Sequence, residues 1–220
     1  MKNKSVIKVL IMILIILLLF MLIKIYHFAI VKHVFDAVEN FKNQENRAYL
    51  VTSKMDENIV LLEETLLKEK IIKYANKRND LYLTYEWKNF ENNERYSFNI
   101  MNKEIYKDDI VIEDRKNLLN FPSFLNYLFK GDKINLSEIF DIYYIVPTKY
   151  EDKSCYKIAT KKEIIIIDKD TYLPVYSSIK RVSYDNENKN AIERTYEFKV
   201  GEVTDEDVAL PNLSEYTIVE

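Results

Sequence analysis

The chain has 220 residues and a formal net charge of −3, with a single cysteine, two histidines and two glycines. One cysteine excludes an intrachain disulfide, and two glycines exclude a glycine-rich phosphate-binding loop. Residues 1–33 hold five lysines and no acidic residue, so residues 34–220 carry a formal charge of −8. Such an acidic domain is a poor partner for nucleic acid or for flat docking on anionic headgroups.

The first element is an apolar run of fifteen residues, Val9–Ile23, between Lys8 and Lys24. Fifteen helical residues cover about 22 Å, and extension to about Val6–Tyr26 matches the roughly 30 Å hydrocarbon core of a bilayer. The two lysines have stems long enough to reach the headgroups. We therefore predict a single membrane span flanked by Lys8 and Lys24.

The alternative is a cleaved signal peptide, which has the same charged start and apolar middle. Its cleavage site needs small residues, and Ala29 is the candidate near the run. A purely basic tail precedes the run, so the positive-inside tendency places the N-terminus in the cytoplasm. The predicted organisation is a cytoplasmic tail and membrane anchor over residues 1–31, followed by an extracytoplasmic domain over residues 32–220.

The segment after the anchor, Val31–Asn43, has apolar residues three and four positions apart, the spacing of one helical face. No Pro or Gly separates it from the anchor, so the helix either continues from the membrane or breaks softly near Lys32. Farther on, Ile59–Tyr74 fits a helix about as well as two strands. We favour strands there because strands flank the segment on both sides.

Alternating apolar and polar residues predict strands from Ala48 onward. Leu81–Lys88 and Tyr96–Ile100 are predicted to form a hairpin with one apolar face, around a turn at Asn89–Glu94. Later strands are predicted at residues 142–146, 155–160, 163–168, 173–184 and 192–200, with turns at Asp168–Thr171 and Asp185–Asn190.

A helical interlude separates the two groups of strands. Asn117–Lys130 predicts a helix with Pro122 in its first turn and Gly131 as its C-cap, and Asn135–Phe140 predicts a shorter one. The order of helix, antiparallel strands, helical interlude and antiparallel strands is typical of one α+β domain. We expect a large curved antiparallel sheet.

The sequence contains few residues in the patterns that catalysis or metal binding requires. His27 and His33 lie beside the anchor, so the rest of the chain has no Ser-His-Asp triad, Cys-His pair or His-containing zinc site. Cys155 is expected to be a packed strand residue. Asp168-Lys169-Asp170 lacks the central glycine and distal glutamate of a calcium loop, so we predict a turn. We predict a protein that is not an enzyme and holds no metal or cofactor.

Carboxylate pairs leave one catalytic alternative open, a two-carboxylate hydrolase. Adjacent acids of this kind are also what a solvated acidic surface gives. The pairs are Glu63 and Glu64, Asp108 and Asp109, and Asp205 to Asp207.

The C-terminal part carries a family resemblance. A strand ends in Asp168 and is followed by an acidic turn, Leu173-Pro174, two further strands and the tail VTDEDVALPNLSEY, in which Thr204 is placed to cap the acidic turn. This order, over residues 163–216, resembles the lipoprotein-carrier (LolA-like) superfamily of extracytoplasmic half-open barrels. The resemblance implies a half-open β-barrel with plugging helices, an apolar cavity and no catalytic residues. The chain departs from the family by keeping a membrane anchor and having few glycines.

The predicted function is a membrane-anchored extracytoplasmic module that binds a lipid, an acyl chain or another hydrophobic ligand. The sequence leaves open whether the apolar face is such a cavity or a dry core. The alternative is a structural, regulatory or sensor subunit of a cell-envelope complex, with another envelope protein as its partner. The candidate ligand-binding residues on the apolar face are Phe124, Leu128, Trp87, Tyr85, Phe98, Tyr196 and Phe198.

Overall fold

The structure is a computed structural model that describes residues 2–56, 59–79, 81–110, 121–130, 133–179 and 191–219. Its helices are α1 (Lys2–Lys42), α2 (Ser123–Leu128) and α3 (Leu136–Ile139). The strands before the helical interlude are β1 (Asn46–Asp56), β2 (Ile59–Lys68), β3 (Ile71–Arg78), β4 (Leu81–Asn89), β5 (Glu94–Asn99) and β6 (Glu104–Asp109). Those within and after it are β7 (Phe129–Lys130), β8 (Lys133–Ile134), β9 (Ile142–Tyr150), β10 (Lys153–Thr160), β11 (Glu163–Asp168), β12 (Pro174–Ile179), β13 (Ile192–Val200) and β14 (Thr217–Val219).

Helix α1 is one continuous element of 41 residues, so of the two alternatives that the sequence left open the helix continues, without a break near Lys32. Its first half is exposed along the whole apolar run and is long and apolar enough to cross a membrane. Its second half is a core element because Val31, Val34, Val38 and Phe41 are buried against the sheet. The same helix therefore serves as a candidate anchor and as part of the domain core.

Twelve described strands form one open, curved sheet in the order β14-β6-β5-β4-β3-β2-β1-β13-β12-β11-β10-β9. All pairs of these strands are antiparallel except β14 with β6. The predicted α+β class is confirmed. Ile59–Tyr74, which fitted a helix or strands, lies in β2 and β3, and the predicted hairpin is formed by β4 and β5.

The two faces of the sheet are covered by different parts of the chain. Residues opposite each other in neighbouring strands share a face, and Tyr85, Ala75, Glu64 and Leu50 follow one another across β4, β3, β2 and β1. Leu50 alternates with Tyr49, so Tyr85 and Tyr49 lie on opposite faces. We call the face that bears Tyr49 the helix face, because α1 and α2 pack on it, and the opposite one the tail face.

The tail face is covered by residues 203–216. Val203 and Val208 pack with Ala48 and Leu66, while the later tail reaches the aromatic residues of β4 and β5. The predicted cap is present, since the Thr204 hydroxyl accepts from the Asp207 N–H and the Asp207 carboxylate accepts from Thr204. The tail ends as β14, beside β6.

The helical interlude differs from its prediction. Helix α2 begins at Ser123 with Pro122 as its N-cap, and it ends at Leu128 because Phe129 and Lys130 enter β7, paired with β8. Residues 117–120 of that segment and Gly131, the predicted C-cap, lie outside the described residues, as does the predicted turn Asp185–Asn190. The second predicted helix is confirmed as α3, capped by the Asn135 side chain.

The scarcity of glycine shows in the turns. Among the described residues, six that are not glycine adopt a positive φ, which costs an L-residue roughly 1–2 kcal/mol relative to its usual conformations. They lie in hairpin or loop turns: Glu69, Asn79, Asn93, Lys103, Glu151 and Tyr172. The chain therefore builds its tight turns from polar residues and one tyrosine.

Candidate functional site

The seven predicted ligand-binding residues do not lie on one apolar face. Tyr196 and Phe198 pair with Val51 and Tyr49, which places them on the helix face. Tyr85, Trp87 and Phe98 lie on the tail face, by the register described above. The structure thus divides the predicted set between two separate clusters.

The helix-face cluster is tightly filled. Phe124 and Leu128 of α2 pack with Tyr196 and Phe198 in one core that also contains the second half of α1. The Tyr49 and Phe198 rings lie 5.0 Å apart, and the Ser177 and Tyr196 hydroxyls are 2.9 Å apart in a buried hydrogen bond. Leu128 is fully buried. Leu128, Tyr196 and Phe198 form protein core rather than the wall of an open cavity.

The tail-face cluster is filled as well. Phe98 packs edge-on against Tyr216 with ring centroids 5.4 Å apart, and Leu210 and Leu213 lie on the same cluster. The Trp87 Nε1–H donates to the backbone carbonyl of Val208 over 2.8 Å. The tail thus occupies the position that a ligand would take on this face.

An open cleft lies elsewhere, between α2, α3 and the turn that joins β10 and β11. Its volume is about 510 Å³, within the range of small-molecule sites. Its apolar and aromatic lining comprises Phe124, Tyr127, Tyr143 and Ile179. Of the seven predicted residues, Phe124 borders this cleft. The aromatic lining gives the cleft a surface that favours an alkyl or aromatic group.

The rim of the cleft is charged with both signs. Its acids are Glu138 and Asp141, its cations are Lys161 and Lys162, and Ser123 and Thr160 add hydroxyl groups to the lining. The sequence did not predict these residues, because acids and lysines this dispersed along the chain have no motif spacing. The only local signal was the lysine pair between two predicted strands, at residues 155–160 and 163–168.

Glu163 forms the base of the cleft and is 3% exposed. Its Oε2 accepts from the Phe124 N–H over 2.7 Å, in the first turn of α2, where Pro122 provides no side-chain cap. Its Oε1 is buried without a hydrogen-bond partner in the described part of the chain. Burial raises the pKa of this carboxyl, against the opposing effect of the Phe124 N–H, the Ser177 hydroxyl and Arg194. Glu163 therefore joins α2 to β11 across 39 residues of sequence.

The raised pKa predicts a pH dependence of stability. The folded state holds the Glu163 proton more tightly than the unfolded state, so its stabilising effect is complete below the unfolded value near 4.5 and is lost as the pH rises through the folded value. Glu163→Gln keeps an acceptor for Phe124 and removes this titration. We expect the melting temperature of Glu163→Gln to gain on wild type as the pH rises from about 4 to about 8. Differential scanning fluorimetry in detergent measures both curves, and parallel curves would contradict the prediction.

The cleft lies beside the point where α1 leaves the domain. Lys24 Nζ donates to three backbone carbonyls at the end of α3, those of Ile139 (3.2 Å), Phe140 (3.2 Å) and Ile142 (2.8 Å). Glu138 and Asp141, which line the cleft, flank these carbonyls in sequence. The predicted anchor flank Lys24 thus holds the wall of the cleft instead of standing free. For Lys8 the structure shows an exposed residue on α1.

The described residues give no sign of a metal site. Among the described residues no three His, Cys, Asp or Glu side chains come together as a metal site. Cys155 is buried in β10, as expected, and burial followed by the charge of Asp168 raises the pKa of its thiol. Asp168 Oδ1 accepts from the Asp170 and Thr171 N–H groups, which confirms the predicted turn.

Fold and cleft together define an α+β protein with a long apolar N-terminal helix and a large open antiparallel sheet. No family model matches the chain, and no curated protein does. It is similar to the crystal structure of an uncharacterized conserved protein from Thermus thermophilus, with 10% identity over 86% of this chain and 97% of that one and a TM-score of 0.48. It is also similar to LprF from Mycobacterium bovis, with 10% identity, 84% and 97% coverage and a TM-score of 0.41. Similarities at this level indicate no function for the chain.

Proposed function

We propose that this protein is a membrane-anchored extracytoplasmic module that binds a lipid or another amphiphile in the cleft between α2 and α3. The observation that carries the proposal is the position of the cleft. Its wall is attached by Lys24 to α1 directly after the apolar run, so the cleft lies at the membrane end of the domain. A ligand drawn from the bilayer would reach it with little exposure to water.

The chemistry of the cleft fits an amphiphile better than a purely apolar ligand. Phe124, Tyr127 and Ile179 offer apolar surface, while Lys161 and Lys162 on the rim offer cations to a phosphate or carboxylate head. The LolA-like resemblance supports the same class of ligand, although the binding surface proposed here is not the apolar sheet face that the resemblance implies. The absence of histidine from residues 34–220 supports binding without catalysis.

A photoreactive lipid tests the proposal on the full-length protein. The probe is a phosphatidylcholine with a diazirine on one acyl chain, placed in nanodiscs, and adducts are mapped by mass spectrometry of peptides. We expect adducts on the cleft segments at residues 123–127 and 160–163, in addition to those on the apolar part of α1. Tyr127→Glu places a charge on the lining and is expected to lower the cleft adducts about tenfold, which corresponds to about 1.4 kcal/mol.

The controls lie within the same chain. Adducts on α1 report the lipid around the anchor and should not change in Tyr127→Glu. Tyr106→Glu makes the same substitution at an exposed tyrosine on β6, next to the opposite edge of the sheet, and should leave the cleft adducts as in wild type. Adducts confined to α1, or cleft adducts equal in the two variants, would overturn the proposal.

A further inference from the structure

Helix α3 contacts α1 inside the predicted membrane span. The Phe140 ring stacks on the Phe20 ring with centroids 6.5 Å apart. Lys24 Nζ, which binds the α3 carbonyls, lies 5.6 Å from the Phe20 ring centroid. Phe20 precedes Lys24 by four residues, or about 6 Å along the helix axis. Phe140 therefore reaches about one helical turn into the apolar run.

Phe140 belongs to an exposed apolar surface. Leu136 is one turn before it in α3, on the same side of that helix, and Tyr143 follows at the start of β9. Leu136 is 60% exposed, Phe140 58% and Tyr143 62%. Large apolar side chains that are this exposed within one segment of eight residues indicate a contact surface. We call these three residues the α3 surface.

The position of the α3 surface identifies its partner. It is continuous with α1 at the level of Phe20, and the residues of α1 from Val6 to Ile23 are themselves exposed and apolar apart from Lys8. Whatever surrounds the apolar part of α1 at Phe20 must also surround Phe140. For a membrane span this medium is lipid, and a tyrosine beside apolar side chains is typical of the interfacial zone.

We propose that the α3 surface inserts into the outer leaflet, with Phe140 and Leu136 among the acyl chains and Tyr143 at headgroup level. The partner is the bilayer itself. The inference rests on the membrane-anchor part of the proposed function and does not need the cleft to be occupied. Because Tyr143 also lines the cleft, insertion sets the mouth of the cleft at the headgroup level and fixes how the domain lies on the membrane.

Spin labels in nanodiscs test the insertion on the full chain. Cys155→Ser removes the single, buried thiol, and cysteines are then introduced one at a time at Phe140, Leu136, Leu14 and Met101. Leu14 lies in the middle of the apolar run, and Met101 is 87% exposed on a turn of the domain. Power saturation compares access to oxygen, which partitions into lipid, with access to a water-soluble nickel chelate.

The expected order of oxygen-to-nickel accessibility is Leu14 first, then Phe140 and Leu136, and Met101 last. Labels at Phe140 and Leu136 with the Met101 value would overturn the inference, and labels shielded from both reagents would overturn it in favour of a protein partner. The Leu14 label distinguishes an α3 surface that does not insert from an α1 that does not span the membrane. A water-exposed Leu14 label would contradict the membrane span itself.

A charged substitution supplies the second measurement. Phe140→Glu, made with the label at Leu136, should move that label to the accessibility of Met101, since an ionised carboxylate is costly among acyl chains. Phe140 is largely exposed in the domain, so the substitution removes little packing, and an unchanged melting temperature verifies the fold. A Leu136 label that stays in lipid in this variant would contradict insertion through Phe140.

Discussion

Replacement of Trp87 by alanine is expected to destabilise the domain by about 3–5 kcal/mol, the usual range for a large aromatic side chain lost from a core. Trp87 is 5% exposed and packs with Tyr85, Tyr96 and Phe98 beneath the C-terminal tail. Its loss removes apolar contact with β5 and with the tail at the same time. Since a domain is stable by only about 5–15 kcal/mol, this one substitution removes a large part of the total.

The hydrogen bond of Trp87 contributes separately to this effect. The indole N–H donates to the Val208 carbonyl in a buried position, so Trp87→Phe retains a ring but leaves that carbonyl without its donor. We expect Trp87→Phe to cost about 1–3 kcal/mol, the range for an unsatisfied buried polar group. The difference between the two variants then gives the contribution of the ring.

Thermal and denaturant unfolding of the full chain in detergent, followed by far-ultraviolet circular dichroism, measures both variants. Fluorescence is unsuitable because Trp87 is the single tryptophan. Tyr106→Phe, an exposed position on β6, is the matched control and should leave the midpoint unchanged. If Trp87→Ala unfolds like the control, the tail does not stabilise this half of the sheet, and the assignment of the tail as its cover is wrong.

The sequence predicts the elements well where the local pattern is sufficient. Helix α1 has neither Pro nor Gly to interrupt it, and the alternation in Leu81–Lys88 and Tyr96–Ile100 specifies a hairpin with one apolar face. The pattern within one strand does not predict on which face of the whole sheet its apolar residues lie. The answer depends on the register across β2 and β3. There Glu64 and Ala75, which pair with each other, connect the face of Leu50 in β1 to that of Tyr85 in β4.

This register explains why the predicted binding residues are divided between the two faces of the sheet. Tyr196 and Tyr85 both alternate correctly within their strands, yet they lie on opposite faces because the apolar side of the sheet changes between β1 and β4. The tail can cover the second apolar area only because it folds back across the sheet. Its sequence shows apolar residues returning after an acidic turn, but not the strand that they meet.

The cleft shows the same limit for a site. The link between Glu163 and Phe124 spans 39 residues, and Pro122 gives no local sign that a distant carboxylate will satisfy the start of α2. Similarly, the sequence predicts that Lys24 reaches toward headgroups. In the structure Lys24 binds three backbone carbonyls that lie 115 to 118 residues away in sequence. Long-range contacts of this kind become predictable only once the order of strands is known.

Such contacts make α1 the link between the predicted membrane span and the domain. One helix carries the apolar run, the Lys24 attachment and the buried residues Ile30 to Phe41. It continues without a break from the predicted anchor into the predicted domain. A change in the orientation of the span would therefore be transmitted directly to the core and, through Lys24, to the wall of the cleft.

Substitution of Val34 by aspartate is expected to separate the domain core from this helix and to destabilise the fold by about 4 kcal/mol or more, as buried unpaired charges do. Val34 is fully buried between α1 and the sheet, in the same cluster as Leu128 and Ile165. Asn40→Asp introduces the same carboxylate on the exposed side of the same helix and should cost about 0.5 kcal/mol, mainly through the helix dipole.

Limited proteolysis in nanodiscs distinguishes an unfolded domain on an intact anchor from a protein that has not inserted into the membrane at all. In Val34→Asp the domain should be cleaved at least about 100-fold faster than wild type, the factor that corresponds to a change of about 2.7 kcal/mol in the opening equilibrium. The apolar part of α1 should stay protected by lipid in both variants, and Asn40→Asp should be cleaved at nearly the wild-type rate. Wild-type resistance in Val34→Asp would mean that the sheet folds without the second half of α1, and the helix would then be an anchor alone.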